Sequence, residues 1–178
     1  HVVSNGGITL TGSSKIQGNA TAGPGKTIQT TGTSKVTGTR GNLATAWPCS
    51  PVDLVSLAQA LAISNDNARI PKTSANRSPL SGSNPPNFTL SGNETLVLPA
   101  GTYYIGNLKV GGSSALSVSG EARLLVTGTI TIDGNSPVNM AGAASNLRLF
   151  TSGTAVTVAG SGRMKGFVYA SRPTAVVK

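Results

Sequence analysis

Catalysis needs side chains that move protons or attack, and this chain of 178 residues holds few of them. Its 5 acids are Asp53, Asp66, Glu94, Glu121 and Asp133, and it has 1 His and 1 Cys. Sugar hydrolysis uses two carboxylates about 5–10 Å apart. Only Glu121 and Asp133 fall on neighbouring elements, and capping or turn roles account for them better. A lyase would want clustered Asp around Ca²⁺, and no such cluster exists in the sequence. No Ser/His/Asp triad can be built around the terminal His1, and zinc sites take more Cys and His than one of each. Cys49, in Trp47-Pro48-Cys49-Ser50, has no internal His to activate it and reads as a buried or half-buried thiol. Gly111-Gly112 lacks the Lys and Ser/Thr that complete a phosphate loop, and strand corners explain it. The expectation is a non-enzyme with no catalytic residue, metal site or cofactor.

What the chain does have is positive charge. Lys and Arg number 14, the formal net charge is +9 and the isoelectric point is about 10.3. Such a surface attracts nucleic acid, anionic polysaccharide or an anionic membrane face. The competing reading is solubility, since net charge keeps a Ser/Thr-rich protein from sticking to itself. The cations are spread along the chain, so the fold decides whether they gather. One Cys rules out an internal disulfide framework, and no apolar run approaches the length of a membrane helix. No signal peptide is visible in the sequence, and its abrupt start at His1 reads as a mature or truncated form.

The elements that must position these cations come from a repeat. Ile8-Thr-Leu-Thr-Gly12-Ser-Ser-Lys15-Ile16-Gln-Gly18 matches Ile28-Gln-Thr-Thr-Gly32-Thr-Ser-Lys35-Val36-Thr-Gly38 at a constant offset of 20. Leu108-Lys-Val110 matches Ile130-Thr-Ile132 at 22, Val156-Thr-Val158 follows 26 later, and Arg123 and Arg148 are 25 apart. Apolar residues alternate with Ser or Thr over three to five positions, which is the period of a strand with one buried face. Gly then supplies the tight corners. A short coil cannot bury its face alone, but stacked coils make a continuous core.

The fold class expected is therefore all-β: a β-solenoid, or β-helix, of 20–26-residue coils with one short α-helix and an irregular insert. It forms a single domain over 1–178, with first coils in 1–46, the helix and a basic insert in 47–95, and remaining coils in 96–178. A β-sandwich is the runner-up, but it has no reason to keep a 20-residue register. Inward positions are Ile8, Leu10, Ile16, Ile28, Val36, Leu108, Val110, Leu116, Val118, Ile130, Ile132, Val138, Met140, Val156 and Val158. Ser50 as N-cap and Pro51 as first helical residue, then Leu54, Leu57, Ala58 and Leu61, predict a helix over 51–64 that covers a side or an end of the solenoid. Residues 65–95 read as an irregular surface excursion. Its Arg69, Lys72 and Arg77 form either a basic clamp for a phosphate backbone or a solvated loop.

The run Leu96-Val-Leu-Pro-Ala-Gly101-Thr-Tyr103-Tyr104, the closing Gly166-Phe167-Val168-Tyr169-Ala170 and the opening Ser4-Asn5-Gly6-Gly7-Ile8 resemble the β-solenoid ectodomain of PilX-like, type IV pilus-associated proteins. A weaker resemblance is to bactofilins, which polymerise through similar coils. The first resemblance implies an extracellular, pilus-associated module following a hydrophobic pilin helix. In its competence-associated branch it implies DNA capture, with pilus subunits as partners.

In a solenoid, equivalent residues on adjacent coils stand about 4.8 Å apart. Lys15 and Lys35 then stack, Arg40 follows, and Arg123 and Arg148 stack further along. Lys109 points outward between Leu108 and Val110, and Arg163 and Lys165 lie near the last coil. With Arg69, Lys72 and Arg77 these form the candidate polyanion-binding set. The alternative is that they point in several directions. The expected partner is double-stranded DNA held by its phosphates, because Trp47, Tyr103, Tyr104 and Tyr169 are too few for a single-strand stacking platform. Adhesion to polysaccharide and a structural pilus or bactofilin-like polymer are the other readings.

Overall fold

The computed structural model describes residues 2–46, 53–170 and 175–177. The readings made for His1, Trp47, Cys49, Ser50 and Pro51 lie outside the described residues. The chain divides into two compact units between Val52 and Asp53, the first also taking the residues from Val176. Both are built of parallel, in-register strand stacks; the fold is a β-solenoid.

Unit 1 contains β1 (Val2–Val3), β2 (Ile8–Leu10), β3 (Lys15–Ile16), β4 (Ala20–Ala22), β5 (Ile28–Thr30), β6 (Lys35–Val36) and β7 (Arg40–Asn42). Three parallel stacks form: β1-β4-β7, β2-β5 and β3-β6. The offset of 20 read from the sequence is the structural register, with Ile8 opposite Ile28 and Lys15 opposite Lys35. Ile8, Leu10, Ala20 and Ala22 are buried while Thr9 is exposed, as alternation requires. Ile16, Ile28 and Val36 are half-buried against them.

Unit 2 opens with helix α1 (Leu54–Ile63). Its strands are β8 (Leu80–Ser81), β9 (Asn87–Leu90), β10 (Thr95–Leu98), β11 (Gly101–Ile105), β12 (Leu108–Val110), β13 (Ala115–Val118) and β14 (Ala122–Val126). They continue with β15 (Ile130–Ile132), β16 (Pro137–Val138), β17 (Leu147–Thr151), β18 (Val156–Val158), β19 (Arg163–Met164) and β20 (Phe167–Ala170). The coil has three sides: β9-β12-β15-β18, β10-β13-β16-β19 and β11-β14-β17-β20. Their inward rows, Phe88 through Val156, make one apolar core.

One corner recurs in every coil. Gly12, Gly32, Gly92, Gly112, Gly134 and Gly160 all adopt left-handed φ of 64–72°. In the later coils the glycine also lies against the coil beneath. A Cβ on Gly112 would stand 2.7 Å from the Gly92 carbonyl oxygen, whereas Gly92 has open space there.

Helix α1 packs on the outside of β11-β14. Leu54 and Leu61 bury against Tyr104 and Leu125, with Leu57 and Ala58 at the margin. The helix starts later than 51 because Asp53 is its cap. One carboxylate oxygen accepts from the Val55 and Ser56 N–H groups at 3.0 Å, and the other accepts the Ser56 hydroxyl at 2.6 Å.

Two further expectations fail. Residues 65–95 are not simply an excursion. They contain β8 and β9, with Phe88 and Leu90 fully buried opposite Leu108 and Val110. Met140 is 41% exposed, because Asn139 turns at φ 53° and is itself buried, donating to the Ala143 and Lys165 carbonyls.

Candidate polyanion-binding surface

Residues 65–78 close the edge of the first full coil of unit 2, and this spends two of the predicted cations. The Asp66 carboxylate accepts from Thr102 N–H at 2.8 Å, and Asn67 exchanges hydrogen bonds with the Tyr104 backbone at 3.0 and 2.7 Å. Ser74 serves the Thr95 backbone in the same way. Edge groups of β10 and β11 are thereby satisfied. Arg69 pairs with Asp66 at 3.2 Å. Arg77 pairs with Glu94, which also accepts from Thr73 at 2.9 Å and from Ser91 N–H at 2.9 Å. The Arg77 guanidinium, with these further donors, holds the Glu94 carboxyl down to about 2. Arg69 and Arg77 are therefore cap residues rather than jaws of a phosphate clamp. Lys72 is exposed and, among the described residues, carries no ion pair.

Arg123 and Arg148 do stand opposite each other across β14 and β17. Glu121 lies between them, 2.8 Å from Arg123 and 3.3 Å from Arg148. Arg123, then Arg148, lowers the Glu121 carboxyl. The trio carries one net positive charge, much less than two free arginines.

The remaining cations of unit 2 do not join them. Lys109 projects from the β9-β12-β15-β18 side, Arg163 from the β10-β13-β16-β19 side with Lys165 just beyond it, and Arg123 and Arg148 from the third. The basic stripe expected along one flank is not formed here. Lys109, the Arg123–Arg148 pair and Arg163 fall on three different sides of the coil, so stacking cannot align them.

Unit 1 differs. Lys15 and Lys35 are opposite partners on β3 and β6, and both are exposed. Arg40 is exposed too, though β7 places it opposite buried Ala20, a core register rather than a flank. Lys26, in the turn before β5, is a fourth exposed cation that the sequence reading passed over. All 5 acids lie between Asp53 and Asp133, so unit 1 has no acidic side chain. Among the described residues none of its cations makes an ion pair. That signal was available in the sequence as the placement of the acids.

Among the described residues no group of three or more His, Cys, Asp or Glu could hold a metal ion. No helix there is long and apolar enough to cross a membrane.

The sequence matches no family model, and no curated protein matches it. Among solved structures there is a likeness to the crystal structure of an ice binding protein from an Antarctic Biological Consortium, with a TM-score of 0.53. The likeness is one of fold. Identity is 17% over 99% of this chain and 82% of that one.

Proposed function

We propose that this chain is a non-enzymatic, extracellular, pilus-associated binding module that holds double-stranded DNA through its phosphates, chiefly on unit 1. The observation that carries the reading is the Lys15–Lys35 column in a unit without an acidic side chain. Two lysines about 4.8 Å apart repel. A phosphate between them replaces that repulsion with two attractive contacts, and Lys26 and Arg40 extend the positive field. Contacts of this kind position the polymer without reading its sequence. The pilus context rests on the resemblance at Leu96–Tyr104 and Gly166–Ala170.

The test is a titration of labelled duplex DNA at several salt concentrations. With two to four phosphates neutralised, log affinity should fall against log salt with a slope of roughly −2 to −4. Duplexes of different sequence should bind alike. Affinity at low salt no better than for a neutral protein control would contradict the reading.

A second reading is favoured by one row on the outside of unit 2: Thr89, Lys109, Thr131 and Thr157 are successive register partners. A ladder of small hydroxyls repeating at the strand spacing suits an ordered surface, ice included, and the solved structure of similar fold is of an ice binding protein. Lys109 stands in the middle of that ladder and places a charge on it, so this reading ranks second. Inhibition of ice recrystallisation that Thr131→Tyr abolishes would move it to first place.

A further inference from the structure

The two units end differently. The first full coil of unit 2 is closed: Asp66, Asn67 and Ser74 satisfy the backbone of β10 and β11, and β8 pairs antiparallel with β9. In unit 1, among the described residues, the strands β5, β6 and β7 each pair on one side only, with β2, β3 and β4. Ile8 donates to the Thr27 carbonyl at 3.0 Å and Thr31 to the Leu10 carbonyl at 2.9 Å. Parallel pairing then aims the N–H and C=O groups of Ile28 and Thr30 away from β2. The same alternation leaves those of Val36 and Arg40 pointing outward, since Lys35 and Thr37 donate to Ser14 and Ile16 and Thr39 accepts from Ala20. Among the described residues no strand takes these groups up.

We propose that this open coil of unit 1 is a docking edge for an extended acidic segment of another protein, which adds a strand beside β5 or β6. Two observations choose the occupant. The side chains of Ile28 and Val36 are only half-buried, so an added strand with alternate apolar residues would finish covering them. Lys26 and Lys35 flank the β5 and β6 edges, and unit 1 offers no acidic side chain. A second copy would bring the same cations face to face and be repelled, whereas carboxylates on the alternate positions of a strand would pair with them. The two readings share cations, but the edge also uses main-chain groups that the DNA reading leaves unused, and an experiment on those groups separates them.

The probe is a labelled eight-residue peptide alternating valine with glutamate, set against a valine–lysine counterpart. Binding is read by fluorescence anisotropy and by hydrogen exchange at the Ile28, Thr30 and Val36 amides. The acidic peptide should bind saturably and slow exchange at those amides, and the lysine peptide should not. Thr30→Pro removes an edge donor that β2 does not use. It should weaken the peptide at least tenfold and leave duplex DNA binding as it was. Unslowed exchange under saturating peptide, equal binding of the lysine peptide, or native-like binding by a folded Thr30→Pro would overturn the proposal. Should that variant fail to fold, the exchange measurement on the native chain decides alone. Peptide binding without DNA binding removes the DNA reading and keeps this one.

Discussion

Glu94 is a buried carboxylate, 7% exposed, at the corner position that Ser114 and Ser136 occupy in later coils. Its charge is tolerated because Arg77, Thr73 and Ser91 supply donors. Its folded pKa lies below that of the unfolded chain, so the stabilisation is present above about 4.5 and is lost as pH falls toward about 2. Unfolding followed across that window should show an acid limb, and Glu94→Gln should flatten it while lowering stability at neutral pH by roughly 1–3 kcal/mol. The glycine corner gives a second residue-scale prediction. Ala at Gly92 meets only the left-handed backbone penalty, about 1–2 kcal/mol. Ala at Gly112 adds a clash with the Gly92 carbonyl, 2.7 Å away. Urea midpoints should therefore rank native, Gly92→Ala, Gly112→Ala in falling order, and equal losses at the two sites would refute the stacked-corner account.

Helix α1 has an apolar stripe short enough that packing must hold it in place. Leu61 and Leu125 are both buried in that contact. Leu61→Ala should cost about 2–5 kcal/mol, measurable by urea unfolding, with loss of the helical signal in circular dichroism. The helix was legible from Leu54, Leu57, Ala58 and Leu61, and the strand register from offsets of 20, 22, 25 and 26. Strand β9 was missed for a physical reason. Phe88-Thr-Leu90-Ser-Gly92 carries the same alternation and corner as Ile8-Thr-Leu10-Thr-Gly12, but the Asn, Ser and Pro around it satisfied the criteria for a loop. Met140 was misplaced because period-2 alternation was carried one step past β16, through the left-handed Asn139. The start of the helix moved because Asp and Ser are both good caps, and sequence alone does not say which one the backbone chooses.

At the scale of the whole molecule, periodicity told which residues stack but not on which side of the coil each stack stands. Lys15 opposite Lys35 and Arg123 opposite Arg148 were both legible as pairs. That Glu121 neutralises part of the second pair, and that Lys109 and Arg163 face other sides, required three dimensions. Net charge therefore overstated the size of a unit 2 site and understated the contrast between the units. DNA affinity should therefore follow unit 1. The most direct measurement compares duplex binding, at one low salt concentration, of Lys15→Glu/Lys35→Glu with that of Arg163→Glu/Lys165→Glu. Both variants change the net charge by the same amount. The first should lower affinity at least tenfold, about 1.4 kcal/mol, and the second only a few-fold; equal losses, or a larger loss in the second, would contradict it.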